Sequence, residues 1–477
     1  MKRDLLIFSF FVLLYSFSLS PLFYTGGDNA HYLILAKSLS EGKGYRIISQ
    51  PLEPPETNYP PLFPLLLSPL VKIFGFHPLP GKILVMLMGL ASFWVVRGIF
   101  SSSLLPFLFL LNPLVLEYSG IILTEIPFLF FSLLTLLFVR KERPLFASLF
   151  LLLTLTTRWM GITLLISLTI FWGLRKETRK LFFLLPLYLI PLFWFVRGRV
   201  ISPETGYLAS LLLRNPYHPQ AGTLTIGEGI KRIIWNGGAY ALRDLPGSLF
   251  PFLTRASIEY FHPLYFSYFL CGIIISGIIL RGWWRELKKE KDILSFYFPV
   301  YFLPLLIWFW RGNRFLVPLI PLIVYYLLKG GEGRTRVLVY FLVFFLIFSS
   351  IFEDVKILGK RGKDYPPHWR SYIQAGKWLK NNTSPEIRVM TRNPFLFYLF
   401  SERKSVEIPL QSPEKIFSRL KKYRIEYLVV PPPLPGVKKE EDIMRRYLIP
   451  FLEEYNRNLT LVREMGNPPT RIYKVLE

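Results

Sequence analysis

Apolar runs at residues 5–23, 81–100, 103–117, 121–139, 144–157, 160–174, 181–196, 263–280, 294–310, 315–328 and 337–352 recur along this chain, with short charged segments between many of them. About 20 such residues cross a bilayer as one helix, the structure that satisfies its own backbone polar groups inside hydrocarbon. The shorter runs between 103 and 174 need a thinned membrane or neighbours that enclose them. Orientation follows from the connecting segments. RKER (140–143), RKETRK (175–180), RGWWRELKKEK (281–291) and KGGEGRTR (329–336) alternate with less basic connections. By the positive-inside rule they and the N-terminus face the cytoplasm. About eleven crossings, an odd number, then leave everything beyond residue 353 outside.

Two other classes are excluded. The formal net charge of +25 could suit nucleic acid, but the cations sit between membrane runs rather than on one soluble face. The single cysteine, Cys271, lies in an apolar run, so neither an intrachain disulfide nor a cysteine-built zinc site is available. The first run follows Met-Lys-Arg-Asp like the core of a signal peptide. No A-x-A site precedes Asp28 and Pro21 is poorly placed for cleavage, so a retained helix is expected.

The organisation expected is therefore a polytopic α-helical membrane domain over residues 1–352, integral to the plasma membrane, with outward loops at 24–80 and 197–262. A small extracytoplasmic α/β domain follows over 353–477. In that domain WRSYIQAGKWLKNN and SPEKIFSRLKKY read as helices, whereas EIRVMT and EYLVVPPP read as strands, the second stopped by its prolines. It contains no G-x-G-x-x-G, so nothing supports nucleotide binding.

The first outward loop carries an isolated carboxylate. In GGDNAHYLILAKSLSEGKGY (26–45), Asp28 precedes a helix whose Tyr32, Leu35, Ala36 and Leu39 form one apolar face, so it and the segment 58–75 are expected to lie in the membrane interface. Asp28 has a plain structural reading as a helix N-cap. Further ionisable residues fall at outer ends of runs: Glu125 in TEIPFLFF, Arg158 in TTRWMG, Arg311 and Arg314 in WRGNRFLVPLIP. Each arginine could snorkel to the interface and Glu125 could serve its helix dipole. Together, acids and arginines on one outer face suit chemistry on a phosphate-bearing lipid.

GGDNAHYLILAKSLSEGKGY, NYPPLFPLLL, TEIPFLFF, TTRWMG and RFLVPLIPLI, in that order, resemble the GT-C glycosyltransferases. The likeness is to the branch holding protein O-mannosyltransferases and the lipid A aminoarabinose transferase. It implies an inverting hexosyl- or pentosyltransferase using a polyprenyl- or dolichyl-phosphate sugar, with a lipid, glycan or protein acceptor. By the same resemblance Asp28 is the base and Glu125 the second acidic position, and Arg158 and Arg314 stand near the donor phosphate. Tyr59 joins the donor-phosphate group because it occupies the place where aminoarabinose transferases carry Lys before paired prolines. Asn29 and His31 belong to the acceptor-side loop, and Asn29 stands where the family often has a second carboxylate. No WWDYG is present, and WWREL (283–287) falls on the cytoplasmic side. No cofactor is indicated, and the few outer carboxylates leave metal dependence open. A lipid transporter and a non-catalytic sugar-lipid binder are the competing readings; a transporter should show internal repeats and mid-membrane polar groups, neither of which the sequence contains.

Overall fold

A computed structural model describes residues 2–26, 28–202, 211–216, 221–255, 263–333, 335–360, 362–433 and 443–476. The chain forms two compact units. The first comprises Met1–Ser20, Thr57–Phe63 and Leu79–Arg361, and the second Pro21–Glu56, Pro64–Pro78 and Gly362–Glu477.

The first unit is helical. Pro78–Phe100, Thr178–Ile201, Phe266–Lys289 and Arg336–Gly359 are each long and apolar enough to cross a membrane. Glu125–Arg140, Pro144–Thr157, Gly161–Leu174 and Ile293–Ile307 are apolar but only 14 to 16 residues long. At about 1.5 Å per residue they reach about 21–24 Å, and their many buried positions show neighbours enclosing them. Backbones meet where glycine allows it. A Cβ on Gly282 would lie 1.9 Å from the Tyr326 carbonyl oxygen, and one on Gly330 would lie 2.1 Å from that of Ile278. Helices Pro263–Lys289 and Ile320–Gly330 therefore pack backbone to backbone, as small residues permit in membrane proteins.

Two runs expected as single spans are divided, and a third stays within one candidate span but contains a 3-10 turn. Residues 103–117 form two short helices, Leu104–Leu110 and Pro113–Ser119. Asn112 accepts a hydrogen bond from the Leu114 N–H and Pro113 occupies the first turn, so the second helix starts afresh. The run at 181–196 becomes Thr178–Phe182, a 3-10 turn at Leu185–Tyr188 around Pro186, and Leu189–Ile201. The run at 315–328 opens as a 3-10 segment, Asn313–Leu319, before Ile320–Gly330. The first helix ends at Ser18, ahead of Pro21, rather than at residue 23.

The second unit contains a five-stranded sheet: β1 (Arg388–Thr391), β2 (Lys404–Glu407), β3 (Tyr427–Val430), β4 (Leu459–Met465) and β5 (Thr470–Val475). The order is β2-β1-β3-β5-β4, with β1 parallel to both β2 and β3, and β5 antiparallel to β3 and β4. Strands β1 and β3 fall where sequence periodicity put them, as do helices Pro367–Asn382 and Pro413–Lys422. Helix Asn29–Ser40 belongs to this unit and packs on helix Pro394–Ser401. It is buried on almost every face, Asn29 at 2% exposure included, rather than presenting a polar side to water. Chain beside it covers the sheet edge: the Ser405 N–H of β2 donates to the Ser49 carbonyl at 2.8 Å, and Lys404 pairs with Glu53 at 2.9 Å. An edge strand so covered is no longer open to foreign strands.

Candidate functional site

In the first unit, three residues far apart in sequence meet at one carboxylate. Helix Pro144–Thr157 ends where Arg158 takes an extended conformation (φ −155°, ψ 142°), and the chain reverses at once into Gly161–Leu174. The reversal is tight enough that a Cβ on Gly161 would lie 2.8 Å from the Leu155 Cα. Arg314 follows Gly312, whose φ of 141° is a value that residues with side chains rarely adopt. Glu125 opens the helix Glu125–Arg140. Its Oε1 accepts from Arg158 Nη1 at 2.8 Å and from Arg314 Nε at 2.6 Å.

The carboxylate is the buried member. The Glu125 side chain is 0% exposed, against 14% for Arg158 and 29% for Arg314. Its second oxygen, Oε2, has no hydrogen-bond partner among the described residues. Arg158 also reaches the Thr124 hydroxyl at 3.4 Å, and both guanidinium carbons lie near the Phe315 ring, at 5.9 and 5.7 Å from its centre. Two guanidiniums thus converge on one buried carboxylate at a site only partly open to water, and the planar fork of arginine suits phosphate oxygens.

Beside it is a cavity of about 500 Å³, whose walls include Arg158, Trp159, Trp194, Leu305, Trp308 and Phe315. The lining is overwhelmingly apolar, so the arginine meets a hydrocarbon-like space. Arg199 also lines it, and its guanidinium lies 5.7 Å from the Phe195 ring. Tyr59 is half-buried in the same unit. The backbone next to it is held by the Trp159 indole, which donates to the Asn58 carbonyl at 2.6 Å. The Arg311 guanidinium lies 5.8 Å from the centre of the Trp235 ring. Trp159, Phe315 and Arg199 are contributors the sequence reading did not single out. For Arg199 the available signal was the RGR (197–199) that ends an apolar run.

Asp28, Asn29 and His31 lie in the second unit. Asp28 occupies the N-cap position of Asn29–Ser40 with φ −95° and ψ 2°, and its side chain makes no capping hydrogen bond. The plain structural reading of that carboxylate therefore loses its physical basis. His31, three residues on, shares a buried hydrogen bond with Glu56 through Nε2 and Oε2, and its ring lies 4.5 Å from that of Phe395. Glu56, 1% exposed, was not singled out from the sequence. No group of three or more His, Cys, Asp or Glu able to hold a metal ion occurs among the described residues.

No protein-family model matches the chain, and no curated protein sequence matches it. Solved structures do. ArnT from Cupriavidus metallidurans bound to undecaprenyl phosphate is similar with a TM-score of 0.57 at 12% identity, over 99% of this chain and 98% of that one. The Archaeoglobus fulgidus oligosaccharyltransferase, tethered through a disulfide to an acceptor peptide containing the NVT sequon, is similar with a TM-score of 0.55 at 12% identity. That likeness covers 100% of this chain and 74% of that one. The chain is thus a polytopic helical membrane protein with the GT-C glycosyltransferase fold.

Proposed function

We propose that this protein is a membrane glycosyltransferase that moves a sugar from a polyprenyl- or dolichyl-phosphate donor to a lipid, glycan or protein acceptor on the extracytoplasmic face. One observation carries the reading: a pair of arginines held on a buried carboxylate, one of them in the wall of a roughly 500 Å³ apolar cavity. A phosphate with a long hydrocarbon tail has those two needs and few other ligands do. The likeness to ArnT, whose structure holds undecaprenyl phosphate, supports it.

Arg158 and Arg314 bind the donor phosphate, with Tyr59 beside them. Glu125, fully enclosed, is a positioning residue that holds the two guanidiniums in place and does not touch the acceptor. Asp28 is the base. The acceptor oxygen attacks the anomeric carbon, the bond from that carbon to the phosphate oxygen breaks, and the hydroxyl proton passes to Asp28. The electron pair of the broken bond leaves on the lipid phosphate, where the arginines stabilise it. One displacement inverts the anomeric centre, and no covalent enzyme intermediate is required. Asn29 and the His31–Glu56 pair hold the start of the helix that carries Asp28. The basic connecting segments make the N-terminus cytoplasmic and put residues beyond 353 outside.

The test uses purified protein in detergent and two lipids, undecaprenyl phosphate and undecaprenol. The phosphate form should bind more tightly, and Arg158→Ala and Arg314→Ala should each remove most of that preference. Equal binding of the two lipids by the unaltered protein overturns the donor reading.

A further inference from the structure

Helix Ile293–Ile307 stops where Trp308 turns extended (φ −62°, ψ 139°), and the Pro304 carbonyl takes its last helical bond, from the Trp308 N–H at 3.0 Å. The end of a helix leaves its final carbonyls without helical donors, here those of Leu305, Leu306 and Ile307. One neighbouring helix meets them. Ile226–Ala239 starts on a capping box formed by Thr225 and Glu228, and Arg232 and Asn236 lie four residues apart on one of its faces. Asn236, 2% exposed, donates to the Leu306 carbonyl at 2.8 Å and the Trp308 carbonyl at 2.9 Å, and reaches that of Leu305 at 3.4 Å. The Arg232 guanidinium reaches the Ile307 carbonyl at 3.5 Å and lies 5.6 Å from the Phe309 ring.

The shorter bonds of Arg232 go to a second segment. Its Nη2 donates to the Leu213 and Arg214 carbonyls at 3.0 and 2.9 Å, and its Nη1 reaches the Leu211 carbonyl at 3.4 Å. There a short antiparallel bridge pairs Leu213 with Thr223. The Arg214 N–H donates to the Gly222 carbonyl at 3.0 Å, and the Leu224 N–H to the Leu212 carbonyl at 2.8 Å. One guanidinium thus gathers carbonyls from a segment 19 residues before it and from a helix end 75 residues after it. Both segments line the roughly 500 Å³ apolar cavity, the first through Leu211 and the second through Pro304, Leu305 and Trp308.

We propose that Arg232 and Asn236 are positioning residues for the lipid site, fixing two walls of the cavity from behind. Apolar contact is non-directional, so the shape of an apolar wall is set by whatever holds its backbone. Here that is a set of hydrogen bonds to main-chain carbonyls, which place Leu211, Leu305 and Trp308 together. Without the donors those carbonyls lose their partners, and the segments rearrange to find others. Arg232 and Asn236 act on the hydrocarbon tail of the carrier and not on its phosphate. That a carrier lipid occupies the cavity rests on the transferase reading above.

The test measures binding of undecaprenyl phosphate and undecaprenol to the full chain in detergent. Arg232→Met and Asn236→Leu should each weaken both lipids by about tenfold and leave the ratio between them unchanged, because the two lipids share the tail. Arg232→Lys should recover part of the loss, since one ammonium can still serve the Leu213 and Arg214 carbonyls. Lys231→Met, an exposed position on the same helix, should bind as the unaltered protein does. Hydrogen exchange localises the effect: in Arg232→Met the Arg214 and Leu224 amides should exchange faster, and those of helix Gly161–Leu174 should not. Unchanged lipid binding or unchanged exchange in Arg232→Met would overturn the proposal, as would a loss confined to the phosphate lipid or an equal loss in Lys231→Met. If Arg232→Met does not fold, Arg232→Lys and Asn236→Leu decide the matter by the same criteria. Equal binding of the two lipids by the unaltered protein, with both weakened in the variants, refutes the donor reading alone. Binding of neither refutes both.

Discussion

Removing both arginines from Glu125 should destabilise the protein, and removing Glu125 as well should restore it. The reasoning starts from burial. Of the three charged side chains, only the carboxylate is fully enclosed, and its Oε2 already lacks a hydrogen-bond partner among the described residues. Its charge is sustained at Oε1 by two contacts of 2.8 and 2.6 Å. In Arg158→Met with Arg314→Met, the carboxylate keeps its burial and loses both cations. Stripping the partner from a buried charge costs about 3–5 kcal/mol. Adding Glu125→Leu removes the stranded charge, and apolar replacement of a whole buried ionic cluster is often neutral or stabilising. At least half of the loss, roughly 2 kcal/mol, should then return. The assay is thermal unfolding in detergent of the double and triple variants, followed by undecaprenyl phosphate binding. The triple variant should be stable yet fail to prefer the phosphate lipid over undecaprenol. A triple variant no more stable than the double would refute the idea that enclosure of Glu125 governs this cluster.

Four further outcomes are expected. Asp28→Asn should keep its melting temperature, because the amide is nearly isosteric and Asn and Asp serve an N-cap position about equally well, while transfer measured with a polyprenyl-phosphate sugar falls by about 10²–10⁴-fold; near-normal transfer would remove Asp28 from the chemistry. Gly198→Leu should fill the apolar cavity it lines without a clash, since a Cβ there meets nothing within 4 Å; tighter or unchanged carrier binding would argue against a lipid tail in that space. Gly282→Ala should lower stability by about 1–3 kcal/mol through overpacking, read as a drop in melting temperature, because its Cβ would lie 1.9 Å from a carbonyl oxygen. Burial, and secondarily the Arg392 charge, lower the His368 pKa from 6.5. The unfolded chain then binds the proton more readily, so this contribution to stability is present above pH 6.5 and is lost as pH falls through the folded value. An NMR titration should show the lowered value rising in Arg392→Gln, and an unmoved titration would contradict the pairing.

What could be read from the sequence followed its periodicities. The apolar runs and the basic connections identified a polytopic membrane protein, and short alternating segments located β1 and β3. Local breaks were harder. Asn112-Pro113 restarts a helix inside what hydropathy treats as one run, since a sum over a window does not register a cap. The hairpin β4–β5 was not recognised because most residues of β4 are exposed and show little alternation, which left β5 without a visible partner. At the site, the placement of Glu125, Arg158 and Arg314 at the ends of apolar runs was legible from counting. Their meeting was not, because 189 residues separate Glu125 from Arg314, and nothing local to TEIPFLFF or WRGNRFL specifies the partner. Glu56 escaped for the same reason: a carboxylate in EPPETN looks like loop solvent exposure until His31 is seen to enclose it.

The carboxylate between the two arginines also bears on how such a transferase would let go of its product. The donor phosphate carries one negative charge as a diester, and after transfer it is a monoester with a second ionisation near pH 6, hence about −1.5 to −2 at neutral pH. Two arginines alone would hold the spent carrier more tightly than the fresh donor, and release would become the slow step of each cycle. A fixed negative charge in their midst opposes the second charge as it appears. Glu125 would then act as a built-in ejector, easing the lipid phosphate out once the sugar has gone.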